Sequence, residues 1–171
     1  MRSRSQRATQ LLRLIILGAV LTACPVLASA LDVGDTPPDW SMTTLAGKPI
    51  SLASLRGKVV LIDFWASWCA PCKEEMPFLE GLHKKHGGAG LVIVGVSVDK
   101  DRENADKFIR ALKVTFPIIH DDKHTVADQY KPPRMPTSFV LDRQGKVRFV
   151  HAGYRKEDAV SLEREIAQLL K

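Results

Sequence analysis

Two cysteines in the stretch WASWCAPCKEEMP, Cys69 and Cys72, are the side chains of this sequence best suited to chemistry. Two thiols at this spacing could exchange electrons, provide half of a metal site or close a short disulfide loop. A disulfide that closes so short a loop would stabilise the fold little, because the loop-closure contribution grows with loop length. The pair therefore indicates redox chemistry or metal binding, and the residues around it have to decide between the two.

The residues around the pair predict a helix that begins at about Cys69. An apolar and β-branched run, residues 58–64, predicts a buried strand that ends just before the motif. At a helix start, unpaired N–H groups and the positive dipole end stabilise a thiolate, which would make Cys69 the nucleophile. Cys72 would lie one turn further on, less exposed and placed to resolve a mixed disulfide on Cys69. Trp68 would flank the thiol as an apolar surface for a partner, and Pro71 suits the first helical turn.

A zinc site is the alternative interpretation of the two cysteines. The sequence has no second CxxC pair, so histidines would have to complete the site. His120 and His124 have a spacing that zinc fingers use, but they lie in a different segment of the chain. Redox chemistry is favoured, and we expect no metal or other cofactor beyond a redox-active disulfide.

The apolar pattern of the remaining chain predicts one layered α/β domain. A hairpin is predicted within residues 40–55. After the motif helix the pattern predicts, in order, a buried strand at 91–98, a helix at 101–112, a short strand at 116–119 and a short helix at 125–130. A second hairpin at 137–151 and an amphipathic helix at 157–170, with Val160, Leu162 and Ile166 among its apolar residues, complete the pattern. Strands that alternate with helices predict a sheet with helices on both faces.

The first 30 residues predict an export signal, because a basic segment (MRSRSQR) precedes an apolar run. Small residues at 28–30 fit signal-peptidase cleavage near Ala30, which would release residues 31–171 as a soluble periplasmic domain. The segment that ends at Cys24 also fits a lipobox, in which a lipid on Cys24 would anchor the protein. An uncleaved anchor is the third possibility, because residues 14–31 carry no charge. Each route places the domain outside the cytoplasm, in an oxidising compartment.

The net charge of +6 is largely a property of this N-terminal segment. Four of the 25 basic residues, all arginines, lie in residues 1–30, which leaves 21 basic against 19 acidic residues. No basic patch with interleaved aromatic residues follows in the rest of the sequence. Nucleic-acid binding is therefore not expected.

The stretch VVLIDFWASWCAPCKEEMP resembles the active-site segment of thioredoxins. Together with the export signal, the lead-in GKPISLASLRGKVVLIDFWASWC and the later MPTSFVLD, it resembles the TlpA/ResA-type periplasmic thioredoxin-like proteins. The resemblance covers residues 36–170. It implies a thioredoxin-like fold with a central mixed β-sheet flanked by helices, an N-terminal β-hairpin and an inserted α/β element.

The resemblance also implies further site residues. Pro136, in the segment MPTSF, matches a cis-proline that faces the cysteines and whose preceding backbone would pair with a bound client chain, and Met135 would lie against the sulfurs. Glu75 matches a helix glutamate and Asp63 a buried strand aspartate, although TlpA/ResA-type strands often carry asparagine there. If both carboxyls are buried near Cys72, one should have a raised pKa and could deprotonate that thiol. Which of the two does so is left open by the sequence.

The sequence therefore predicts a periplasmic thiol–disulfide oxidoreductase that reduces disulfides in exported client proteins. A membrane electron donor of DsbD/CcdA type would have to reduce it again, because the compartment will not. A thiol oxidase or isomerase of the same fold is the first alternative. A metal-binding or client-binding module without turnover and a redox sensor are the others. Contact with the membrane itself would come only from a lipid on Cys24 or from an uncleaved anchor.

Overall fold

The computed structural model describes residues 30–171, so the expected export signal and Cys24 lie outside the described residues. Within the described part, no helix is both long and apolar enough to cross a membrane. The strands are β1 Ser41–Thr43, β2 Pro49–Ser51, β3 Val59–Trp65, β4 Leu91–Ser97, β5 Ile118–His120, β6 Thr137–Leu141 and β7 Val147–Ala152. The helices are α1 Ala70–His86, α2 Arg102–Leu112, α3 Ala127–Tyr130 and α4 Asp158–Leu170.

Five strands form one mixed sheet in the order β5-β4-β3-β6-β7. Strands β3, β4 and β5 run parallel, whereas β6 runs antiparallel to both β3 and β7. Strands β1 and β2 form a separate antiparallel hairpin, which is attached to the edge of the sheet where Leu45 N–H donates to the carbonyl of Ile118 at 2.8 Å. The predicted thioredoxin-like architecture, including its N-terminal hairpin, is confirmed.

The helices cover both faces of this sheet. On one face Trp65 of β3 stacks against Phe108 of α2, with ring centroids 4.8 Å apart. Lys85 of α1 donates a hydrogen bond to Glu163 of α4 at 2.6 Å, which shows that the two helices lie on the same side of the sheet. Neighbouring residues of a strand point to opposite faces, and Phe64 accordingly contacts a ring of α3 on the other side. Asp63 lies two positions before Trp65, on the same face of β3, and shares the Ser138 hydroxyl with Glu75 of α1. Helices α1, α2 and α4 therefore share one face of the sheet and α3 lies on the other.

The active-site motif follows the most deeply buried strand. Every residue of β3 is buried, because β4 and β6 flank it and helices cover both of its faces. Asp63 is the one charged residue in this strand of apolar side chains. Burying a carboxyl at the centre of a sheet costs free energy unless the carboxyl is neutral or hydrogen-bonded. We therefore expect Asp63 to be neutral, hydrogen-bonded or both.

The closing helix differs from the sequence pattern in one residue. Leu162 and Ile166 of α4 are buried, as expected, but Val160 is 66% exposed. Leu162 and Ile166 are four positions apart and share a face of the helix, whereas Val160 lies two positions before Leu162 and points to nearly the opposite side. The apolar character of Val160 was thus a poor guide to its burial.

We expect Tyr130→Phe to destabilise the fold. Trp40 Nε1 donates to the hydroxyl of Tyr130 at 3.1 Å, and both side chains are buried. The variant leaves the indole N–H without this acceptor, which should cost about 1–3 kcal/mol of unfolding free energy in urea denaturation. Tyr154→Phe, which removes a half-buried hydroxyl, is the matched control. Equal unfolding free energies for Tyr130→Phe and the unsubstituted protein would contradict this account.

Candidate active site

The two cysteines differ in position and in exposure at the start of α1. Cys69 is the N-cap residue, and the backbone N–H of Cys72 donates to its sulfur at 3.2 Å. The two sulfurs are joined in a disulfide. Cys69 is 6% exposed and Cys72 is fully buried. Cys69 therefore has the small exposed surface of the pair and accepts the helix-start N–H that stabilises a thiolate.

A buried carboxylate holds the turn that precedes Cys69. Asp99, which follows β4, accepts hydrogen bonds from the N–H and the hydroxyl of Ser67, the latter at 2.7 Å. The hydroxyl of Ser97 donates to Asp99 at 2.9 Å. These bonds tie the active-site turn to the end of the neighbouring strand. Asp99 was not predicted as a site residue, although an acid at the end of a buried strand next to the motif strand could have suggested it.

The loop before β6 forms the opposite side of the site. The Met135–Pro136 peptide bond is cis. Gly153 N–H donates to the carbonyl of Pro136 at 2.7 Å, and the Thr137 hydroxyl donates to the carbonyl of Arg134 at 2.7 Å. Met135 is half-buried, so part of its side chain faces solvent.

A groove of about 510 Å³ lies where this loop meets the start of α1. Pro71 and Met135 both line it, and the side chains of Tyr154 and Arg155 form its far wall. Trp68, beside the cysteines in the chain, is 72% exposed. The structure therefore places a groove and an exposed aromatic side chain next to the two cysteines.

Two carboxyls are buried between β3 and the active-site helix, and a hydroxyl lies between them. Asp63 is fully buried and Glu75 is 2% exposed. Ser138 of β6, the register partner of Asp63, donates to Asp63 Oδ1 at 3.0 Å. The same hydroxyl oxygen lies 3.4 Å from Glu75 Oε1. Glu75 follows Cys72 by one helical turn, so the group lies on the buried side of the active-site helix.

Burial changes the acidity of both carboxyls. It raises the pKa of Asp63 well above its usual range, the nearby charge of Glu75 raises that pKa further, and the Ser138 hydrogen bond opposes both effects. Burial also raises the pKa of Glu75 to about 8, again against the Ser138 hydrogen bond. At neutral pH the pair therefore retains protons that exposed carboxyls would have lost.

Ser138 was not among the predicted site residues. It lies two positions after Pro136 in a strand of otherwise apolar or β-branched residues, which was the available signal. Its partnership with Asp63 depends on the register between β3 and β6, and register cannot be read from either strand alone.

The two histidines considered for a zinc site are not part of a metal-binding cluster within residues 30–171. His120 Nε2 is 2.7 Å from the carbonyl oxygen of Asp99, and His124 lies in the turn before α3. Within residues 30–171 no three His, Cys, Asp or Glu side chains are grouped so that they could hold a metal ion.

Comparison with known proteins agrees with this geometry. The model of the AhpC/TSA family matches residues 33–150, most of the described chain. The chain belongs to the AhpC/TSA family. Among curated members similar to it, the thiol–disulfide oxidoreductase ResA of Geobacillus thermodenitrificans is 37% identical over 131 residues, which are 76% of this chain and 75% of the relative. The thioredoxin-like protein YneN of Bacillus subtilis is 39% identical over 126 residues, which are 72% of this chain and 73% of YneN.

Solved structures of similar proteins have the same fold as this AhpC/TSA-family chain. The thiol:disulfide interchange protein DsbE of Chlorobium tepidum superposes with a TM-score of 0.80 at 36% identity, over 83% of this chain and all of the other. StoA of Bacillus subtilis superposes with a TM-score of 0.65 at 30% identity, over 75% of this chain and 96% of the other. The resemblance to ResA-type proteins is confirmed, and this AhpC/TSA-family protein is a thiol–disulfide oxidoreductase.

Proposed function

We propose that this oxidoreductase works as a reductase of disulfides in exported client proteins. The observation that carries the proposal is the asymmetry of the pair: Cys69, the helix N-cap, is 6% exposed and lies two positions before Pro71 of the groove, while Cys72 is fully buried. An accessible thiolate can attack a client disulfide, and a buried second thiol can act only on a bond already formed at the first.

Reduction of a client then follows in two exchange steps. The Cys69 thiolate attacks one sulfur of the client disulfide, that disulfide breaks, and the other client sulfur leaves as a thiolate that takes a proton from solvent. Cys72 gives its proton to the Asp63–Glu75 pair and attacks Cys69. The mixed disulfide breaks, the second client thiolate leaves, and the Cys69–Cys72 disulfide forms. Two electrons have passed from the protein to the client.

The client chain would bind across Met135 and Trp68. The backbone before a cis-proline can hydrogen-bond an extended segment in the manner of an added β-strand. Side chains of such a segment would then occupy the groove that Pro71 and Met135 line. Trp68, with 72% of its surface exposed, provides the apolar contact.

The proposed place of work is the periplasm. Residues 1–30 would act as an export signal cleaved near Ala30, or the chain would be anchored by a lipid at Cys24. Residues 31–171 would then be the single working domain. Because the compartment is oxidising, a membrane electron donor of DsbD/CcdA type would have to reduce the pair after each turnover.

The experiment that tests this function is a stoichiometric reaction of the reduced protein with a disulfide-bonded client in the absence of any other reductant. One equivalent of protein should generate two client thiols and one Cys69–Cys72 disulfide, counted by thiol alkylation and mass spectrometry. Client disulfides that persist while the protein stays reduced would contradict the proposal.

We expect Trp68→Ala to weaken client binding without changing the chemistry. An exposed tryptophan beside a binding groove commonly contributes enough for its loss to raise KM about tenfold. The kcat for the protein client and the rate with a small disulfide such as oxidised glutathione should stay nearly unchanged, and this small substrate is the internal control. An unchanged KM for the protein client would show that Trp68 does not contact it.

A further inference from the structure

The hydroxyl of Ser138 lies between the buried carboxyls of Asp63 and Glu75. Its oxygen is 3.0 Å from an oxygen of Asp63 and 3.4 Å from an oxygen of Glu75. The other oxygens of the two carboxyls, Asp63 Oδ2 and Glu75 Oε2, have no hydrogen-bond partner within residues 30–171. The protein thus offers each carboxyl one hydrogen-bonding group, and it is the same group for both.

The number of hydrogens that the Ser138 hydroxyl can donate limits the protonation states of the two carboxyls that it can stabilise. A hydroxyl has one hydrogen to donate and lone pairs with which to accept. If both carboxyls were ionised, the hydroxyl could donate to only one of them, and the other would be a buried anion without this donor. If both were protonated, the hydroxyl hydrogen would have no anion to stabilise. With one proton on the pair, the protonated carboxyl donates to Ser138 Oγ and the hydroxyl donates to the ionised carboxylate.

We propose that Ser138 is a positioning residue whose hydroxyl stabilises the singly protonated state of the Asp63–Glu75 pair, the state that accepts the proton of Cys72. The inference rests on the proposed role of the two carboxyls in the second exchange step. The remaining proton is shared: when Glu75 Oε1 gives its proton to Ser138 Oγ, the hydroxyl gives its own to Asp63 Oδ1, and Ser138 ends unchanged. The two carboxyls therefore act as one base.

Three other titratable groups lie near this pair in the described part of the chain. Cys72 lies one turn before Glu75 on α1, and Tyr154, which follows β7, is close enough to interact electrostatically with Glu75. His151 is the register partner of Ser138 on β7, and its Nε2 lies 2.6 Å from Glu165 of α4. The imidazole of His151 is already paired with the carboxyl of Glu165. Ser138 therefore remains the hydrogen-bonding partner that Asp63 and Glu75 share.

The test is a carbon-13 NMR titration of the aspartate and glutamate carboxyl carbons in the oxidised full chain, in which neither cysteine titrates. In the unsubstituted protein, the first ionisation of the pair should move the carboxyl carbons of Asp63 and Glu75 by comparable amounts, because the remaining proton is shared. A first ionisation seen at only one of the two carbons would overturn the proposal without any variant.

Variants then test whether the Ser138 hydroxyl itself sets the midpoint of the first ionisation. Ser138→Ala should raise the midpoint of the first ionisation by about one pKa unit, because the ionised form loses its donor. Ser138→Thr, which keeps the hydroxyl and suits a strand, should restore the original midpoint. Ser97→Ala removes a comparable buried hydroxyl that bonds Asp99 and should leave the midpoint unchanged. An unshifted midpoint in Ser138→Ala, or an equal shift in the threonine variant, would refute the assignment.

A kinetic measurement keeps this inference distinct from the function on which it rests. In single-turnover experiments that start from a mixed disulfide on Cys69, Ser138→Ala should slow resolution by Cys72 about tenfold at neutral pH and move its pH profile upward by about one unit. If the NMR midpoint moves and the resolution profile does not, Ser138 has the inferred effect on the pair, and it is the proposed role of the carboxyls as the base that fails.

Discussion

Replacing Cys69 with serine is expected to abolish thiol–disulfide exchange. Cys69 is the N-cap residue of α1 and keeps 6% of its surface exposed, whereas the fully buried Cys72 has no route to a client disulfide of its own. A serine hydroxyl is not ionised at neutral pH and cannot form a mixed disulfide, so no residual pathway remains. Client thiols released per mole of reduced protein should fall below detection.

The companion variant Cys72→Ser distinguishes the two thiols. It keeps the attacking sulfur and loses the resolving one, so it should accumulate a covalent client adduct on Cys69 that non-reducing electrophoresis and peptide mass spectrometry can identify. Cys69→Ser should accumulate no adduct. If Cys69→Ser retained activity, or if the adduct formed on Cys72, the assignment of nucleophile and resolving cysteine would be reversed.

The Glu75→Gln variant is expected to become more stable than the unsubstituted protein as the pH rises. Burial raises the pKa of Glu75 from 4.5 to about 8 in the folded chain, so between these values the folded state binds a proton that the unfolded state has lost. The stability of the unsubstituted protein therefore falls as pH rises, by about 1.4 kcal/mol per pH unit from this residue. A glutamine has no proton to lose and removes that slope.

Urea denaturation of the oxidised proteins between pH 4 and pH 8 tests this expectation. The difference in unfolding free energy between Glu75→Gln and the unsubstituted protein should change by several kcal/mol across the window, in favour of the variant at the higher pH. Glu74→Gln, at the exposed neighbouring position, is the control and should show the same slope as the unsubstituted protein. A pH-independent difference for Glu75→Gln would mean that the Glu75 carboxyl is ionised in the folded state.

Much of the secondary structure around the site could be predicted, because residues that are close in the sequence determine it. An apolar run can be buried on both faces only in the middle of a sheet, and a proline after a cysteine suits a helix start, so β3 and the start of α1 followed from residues 59–72. The site roles of Asp63 and Glu75 were predicted from the resemblance to thioredoxins and TlpA/ResA-type proteins, and not from the local residue pattern.

The residues that were missed are those whose role depends on strand pairing or on distant segments. Ser138 meets Asp63 only because β6 pairs with β3 in one particular register. Asp99 holds Ser67 across 32 positions of the chain, and no period in the sequence connects them. The exposure of Val160 likewise depended on how α4 is rotated against the sheet. Serine and aspartate are common surface residues, so only the tertiary structure separates these two from the rest.

The reduction potential of the Cys69–Cys72 pair, measured by equilibration with glutathione or dithiothreitol buffers, tests the proposed direction of electron flow most directly. Our account predicts a value near or below about −230 mV, towards that of thioredoxin, which would make the reduced protein a donor of electrons to client disulfides. A value near about −120 mV, as for the strong oxidant DsbA, would mean that the pair inserts disulfides into its clients and would contradict the proposed reductase.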